Sequence, residues 1–113
     1  MPLIARTMAL RNEPGAIERY EEFHRQVWPE VLAALTAAGF REVRIWRHER
    51  RLFLLVEVAP DWDARRGGEI YASSPRTAEW ETLMRTMQER VEGSSADDWW
   101  APMQEIFQWK APR

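Results

Sequence analysis

The sequence predicts an α+β domain built on a four-stranded antiparallel sheet. Three observations lead there: short apolar runs of strand length, two longer stretches with helical spacing, and the order β-α-β-β-α-β. Right-handed crossovers then place both helices on one face of the sheet. The chain of 113 residues fits a single domain spanning 1–113, long enough to bury one core.

Residues 3–10 form the first expected strand, apolar except for Arg6. Asn12 is a candidate N-cap, and Pro14 suits a first helical turn, where a missing N–H costs little. Ile17, Tyr20, His24, Val27, Trp28, Val31, Leu32 and Leu35 then recur at spacings of three and four, one face of a long helix that ends at Gly39. Pro29 lies inside that pattern and is expected to bend the helix. Residues 41–49 alternate, with Val43 and Ile45 on one side and Arg44, Trp46 and His48 on the other. A charged turn at 49–51 leads into residues 52–58, apolar enough for a central strand. Residues 61–71 are ambiguous, because Gly67-Gly68 weakens a helix. Ser74-Pro75 caps a second helix that runs to Val91 and carries Trp80, Leu83, Met84 and Met87. Residues 93–98 form a polar loop, and residues 103–109 alternate as a last strand.

Composition narrows the function. Net charge is −2 with basic residues interleaved among acids, so no stripe is available to track phosphates and nucleic acid is not an expected partner. No apolar run reaches the length of a membrane span, and no secretory leader pattern opens the chain, so a cytoplasmic protein without a membrane partner is expected. Zero cysteines and two histidines leave no thiolate chemistry and little for a metal site. There is no phosphate loop and no dinucleotide fingerprint, so no cofactor is expected. Seven tryptophans are more than a core this size needs, and indole favours places part apolar and part wet, such as subunit interfaces and sugar pockets. The sheet face without helices would carry aromatic side chains, too much apolar area to leave in water, so a homodimer is expected.

Three places could carry chemistry. Tyr20, His24 and Trp28 stand at i, i+4 and i+8, one stripe of the first helix. A lone histidine there is ordinarily structural. Its functional reading is a proton-transfer group near neutrality, with a phenol beside it. Glu57 interrupts the strand expected to be most buried, so it is either paired, solvated on one face, or a shifted acid–base group. Trp80 fits either helix–sheet packing or stacking on a sugar face, and Trp99-Trp100 reads as a hydrophobic latch.

These residues carry a family resemblance. Tyr20-x3-His24-x3-Trp28-Pro29-Glu30-Val31, then Leu52-Phe53 with Val56-Glu57, Trp80, and the closing run Trp99-Trp100-Ala101-Pro102-Met103-Gln104-Glu105-Ile106-Phe107 resemble the L-rhamnose mutarotase family, including its L-fucose members. The resemblance implies a ferredoxin-like βαββαβ chain in a dimeric α+β barrel. It also implies interconversion of the anomers of a 6-deoxy-L-hexose, a monosaccharide substrate. By position His24 matches the family's proton donor, Tyr20 a sugar-binding tyrosine and Trp80 the second of a tryptophan pair. Two positions depart: Val43 stands where a sugar-contacting tyrosine is usual, and Glu79 where the first tryptophan would be. Trp46 could fill part of that gap, and Trp28 and Glu57 complete the candidate site, with Glu57 or water as base. Rival readings are a cofactor-independent monooxygenase of the same architecture and a non-catalytic sugar-binding domain.

Overall fold

The computed structural model describes residues 2–113. Strand β1 (Leu3–Leu10) is followed by helices α1 (Ala16–Arg25) and α2 (Pro29–Ala37), then strands β2 (Phe40–His48) and β3 (Arg51–Val58). Helices α3 (Ala64–Ala72) and α4 (Pro75–Arg85) precede two short strands, β4 (Gln88–Glu89) and β5 (Ala101–Pro102). The sheet order is β2-β3-β1-β4, with β5 also on β1, and the pairings are antiparallel. Residues 52–58 are therefore central, as their apolar run predicts. Alternation sorts the side chains: Leu52, Val56 and Val58 are buried, as are Met8 and Leu10 beside them, while Arg51 and Phe53 face the other way and are exposed. Val31, Tyr20, Trp80, Met84 and Met87 close the core from the helix side.

Both helical runs are divided. The predicted bend at Pro29 is a complete break, because the residue before a proline avoids helical angles: Trp28 is extended, with ψ 133°, and Pro29 restarts the helix in its first turn. The first helix begins at Ala16 and not after Asn12, since Gly15, at φ +83°, makes the turn that a left-handed residue permits. Gly39 ends α2 at φ +96°, as expected of a C-terminal glycine. The ambiguous stretch is helix α3, capped by the Asp63 side chain, which accepts from the N–H groups of Arg65 and Arg66. Ser74 and Pro75 open α4 as predicted.

Two boundaries differ from expectation. Helix α4 stops at Arg85 and not at Val91; Met87 and Gln88 stay buried by entering the sheet edge, so burial continues after the helix ends. The fourth strand is not residues 103–109. Gln88 pairs with Leu10, Ala101 with Thr7, and the chain leaves the sheet after the Met103 N–H donates to the Ala5 carbonyl. The alternation in 103–109 is real, but this arm overshoots the end of β1, and its Ile106, Phe107 and Trp109 stand exposed. Among the described residues no helix is long and apolar enough to cross a membrane.

Candidate functional site

Tyr20 and His24 sit one turn apart on α1, which stacks their rings at 4.3 Å between centroids. Tyr20 is buried, and its hydroxyl accepts a hydrogen bond from the buried amide of Gln88 at 3.4 Å. His24 is half-buried. Its Nδ1 lies 2.7 Å from the Tyr20 carbonyl, which can only accept, so Nδ1 carries the hydrogen and Nε2 is the free ring atom. Burial holds the imidazole below the ordinary histidine value, and the carbonyl contact opposes that.

Trp80, from the middle of α4, is the hub. Its indole meets Phe23 at 6.2 Å, His24 at 5.5 Å and Trp28 at 5.2 Å, all edge-on. The helix break brings Trp28 here: its extended backbone and the restart at Pro29 set the second helix against α4. Arg76 lies 4.0 Å over the Trp28 ring. The same guanidinium pairs with Glu79 at 2.7 Å and Glu30 at 3.9 Å. Glu79, in place of an indole, therefore turns outward to a cation at the rim.

The structure brings together Tyr20, His24, Trp28 and Trp80, four of the residues singled out in the sequence. It separates the other two. Trp46 pairs with Phe53, and Glu57 lies between Leu3 and Glu42, all on the sheet face away from the helices. There a hollow of about 230 Å³ is lined by Leu3, Glu42, Arg44, Leu55 and Glu57. Cross-strand alternation is the reason: Glu57 is one residue out of phase with Val56 and Val58 and cannot share their face. The rings of His24 and Trp80 touch, so no sugar-sized gap lies between them. A cavity of about 420 Å³ instead meets this cluster at Gln88, with Arg11, Asn12, Glu13, Glu89 and Trp99 as its other walls. Its volume is in the ~300–1,000 Å³ range of small-molecule sites. Trp99 and Trp100 pack on the core, with Arg85 5.0 Å over the Trp99 ring, as a latch requires.

Sequence reasoning missed a half-buried polar pair. The Tyr71 hydroxyl donates to Glu81 at 2.8 Å. Burial raises the Glu81 carboxyl above its ordinary value, the Tyr71 bond and Arg85 partly offset this, and Asp98 adds to it. Desolvation and the neighbouring Glu81 carboxylate likewise raise the Tyr71 phenol, and desolvation raises that of Tyr20. A signal was available: Glu81 stands four residues after Thr77 and three before Met84, on the apolar face of α4.

Comparison with known proteins shows the family and the fold. The family profile described as L-rhamnose mutarotase matches residues 4–109. An L-fucose mutarotase of Xanthomonas campestris pv. campestris is 35% identical over 109 residues, covering 95% of this chain and 87% of that one. An L-rhamnose mutarotase of Klebsiella pneumoniae is 30% identical over 74% of this chain and 78% of its own. The crystal structure of an L-rhamnose mutarotase from Formosa agariphila shares the fold, with a TM-score of 0.72 at 24% identity over 97% of this chain and 100% of that one. A dimeric ferredoxin-like protein from an uncultured marine organism aligns with a TM-score of 0.56 at 14% identity, covering 96% of this chain and 91% of that one. The fold is ferredoxin-like, and the chain belongs to the L-rhamnose mutarotase family.

Proposed function

We propose that this chain interconverts the α and β anomers of a 6-deoxy-L-hexose of the rhamnose or fucose type, with His24 as the proton donor. The observation that carries this reading is the fixed imidazole: Nδ1 is committed to the Tyr20 carbonyl, which leaves Nε2 free, and the ring packs against Tyr20 and Trp80. Anomer exchange opens the pyranose to the aldehyde, lets the C1–C2 bond rotate, and recloses on the other face. Protonation of the ring oxygen by Nε2–H speeds opening, and the neutral imidazole recovers the proton on closure. In this reading Tyr20 and Trp80, closed over by their neighbours here, become sugar contacts when the His24–Trp80 ring contact opens, and Trp28 adds apolar surface for the C–H face. The relatives named L-fucose and L-rhamnose mutarotases support the substrate class.

The working unit in this reading is a cytoplasmic homodimer. Support comes from the uncovered sheet face, where Leu3, Trp46 and Phe53 are exposed, and from the protruding arm with Ile106, Phe107 and Trp109. A second copy covers both with one self-complementary contact.

The test is exchange spectroscopy on the anomeric protons of L-rhamnose and L-fucose, with and without protein. Enhanced exchange that disappears in His24→Ala is the expected result. No enhancement with either sugar would reject the reading, and binding without exchange would favour a sugar-binding domain.

A further inference from the structure

Ring opening needs a proton acceptor as well as a donor, and Glu57 is on the wrong face of the sheet to serve. Of the carboxylates in the described residues, three are half-buried: Glu21, Glu57 and Glu81. Glu21 is bound to Arg47 at 2.6 Å on the surface, and Glu57 lines the hollow opposite the helices. Glu81 alone lies on the helix side, directly after Trp80 in the chain, and makes no ion pair among the described residues. One of its oxygens accepts from Tyr71, which leaves the other for a ligand. A carboxylate on the apolar face of a helix, gripped by one phenol, is costly to keep for packing alone.

We infer that Glu81 is the proton acceptor that completes the mutarotase site, with Tyr71 as its positioning residue. The inference rests on the mutarotase reading and names a group which that reading lacks. Glu81 Oε2 takes the proton of the anomeric hydroxyl, and the O–H electron pair becomes the π bond of the C1 aldehyde. The C1–O5 bond breaks with its electrons to O5, which receives the proton from His24 Nε2. Glu81 ends as the acid and His24 as the neutral base, and closure on the other face reverses both transfers.

The surroundings suit this exchange. Burial disfavours the charged form of each group, moving the carboxyl up from 4.5 and the imidazole down from 6.5. The state with both charged and the state with both neutral thereby come closer in energy, as a reversible transfer requires. The charged and titratable groups that act on Glu81 are Tyr71 from α3, Arg85 from its own helix and Asp98 from the loop before β5, and Glu81 in turn acts on Tyr20 of α1.

Exchange spectroscopy between pH 4 and 8 tests the assignment. The wild type is expected to show a bell whose acid limb belongs to Glu81 and whose alkaline limb belongs to His24. Glu81→Gln should slow exchange by about 100-fold or more, remove the acid limb and leave sugar affinity nearly unchanged. Glu81→Asp, which keeps a carboxylate, should retain the limb at reduced rate. Tyr71→Phe removes a hydrogen bond to the charged form and should move the acid limb to higher pH. Wild-type rate and pH profile in Glu81→Gln would overturn the inference and leave the mutarotase reading intact. So would loss of rate in both Glu81 variants together with a lowered melting temperature, since that marks a structural role. Absence of exchange in the wild type would overturn the parent reading as well.

Discussion

The two faces of the sheet carry similar side chains put to different uses. On the helix side Tyr20, His24, Trp28 and Trp80 form one contact cluster, with Trp80 and Tyr20 almost fully buried. On the other side Trp46, Phe53, Leu3 and Leu55 surround Glu42, Arg44 and Glu57, and Trp46 keeps 49% of its surface exposed. Both faces carry indoles and carboxylates. What separates them is enclosure: on the helix side Tyr20, His24, Tyr71 and Glu81 are shielded from much of the water and hold one hydrogen-bond partner each, so their proton affinities shift. On the open side water or a second chain must complete the environment.

The largest expected effect breaks that comparison outright. His24→Ala should slow anomer exchange by about 10²–10⁴-fold, while Glu57→Gln should leave the rate at the wild-type value. Equal losses in the two variants would mean that both faces share the chemistry. Next comes assembly. Trp46→Glu with Phe53→Glu puts charge on the open face, and if each substitution, counted over both copies, costs ~2 kcal/mol the dimer should weaken by about a thousandfold. Light scattering across a concentration series would register the change, and an unaltered mass would show that the face is not the contact.

A smaller effect sharpens the account of the helix side. A Cβ at Gly67 would stand 2.7 Å from Trp62 Nε1 and 3.0 Å from the Ala38 carbonyl, whereas one at Gly68 would meet nothing within 4 Å. Gly67→Ala should therefore cost ~1–3 kcal/mol by overpacking. Gly68→Ala should add up to ~1 kcal/mol through helix propensity. Urea unfolding of the two neighbours reads both signs. The smallest effect is the pH dependence of stability due to His24. Because burial lowers its folded pKa, the unfolded chain binds the proton more tightly. The stabilising contribution is complete above 6.5 and is lost as pH falls through the folded value. Melting temperature should thus drop less between pH 7 and 5 in His24→Gln than in the wild type, and identical slopes would refute the shift.

Much of the fold was legible because strands announce themselves by alternation and helices by spacing, and both signals are local. The first strand, the hairpin of β2 and β3, the Gly39 stop and the Ser74-Pro75 start needed nothing more. The long first helix did not survive, because periodicity continues across Trp28-Pro29 even though the backbone cannot. Residues 103–109 alternate because one side of the arm is apolar, and alternation alone does not say whether a strand is there to meet it. In the site, the i, i+4 relation of Tyr20 and His24 was sufficient to pair them. Trp80, with four elements between it and the first helix, was recognisable as an aromatic on the second helical run, but spacing could not say that it meets His24. Glu81 was passed over because a carboxylate on a charged helix looks solvated until Tyr71 and the loop before β5 close over it.

By itself the sequence determined the first three strands and the two helical regions in their order, the antiparallel sheet, the stripe that joins Tyr20 to His24, and the family pattern. Tertiary structure decided which face Glu57 occupies, that His24 presents Nε2 and not Nδ1, and that the carboxylate enclosed on the helix side is Glu81. The division has a physical cause. Spacing along a chain fixes which side chains share a face of their own element, but enclosure, and with it proton affinity, depends on what other elements place opposite.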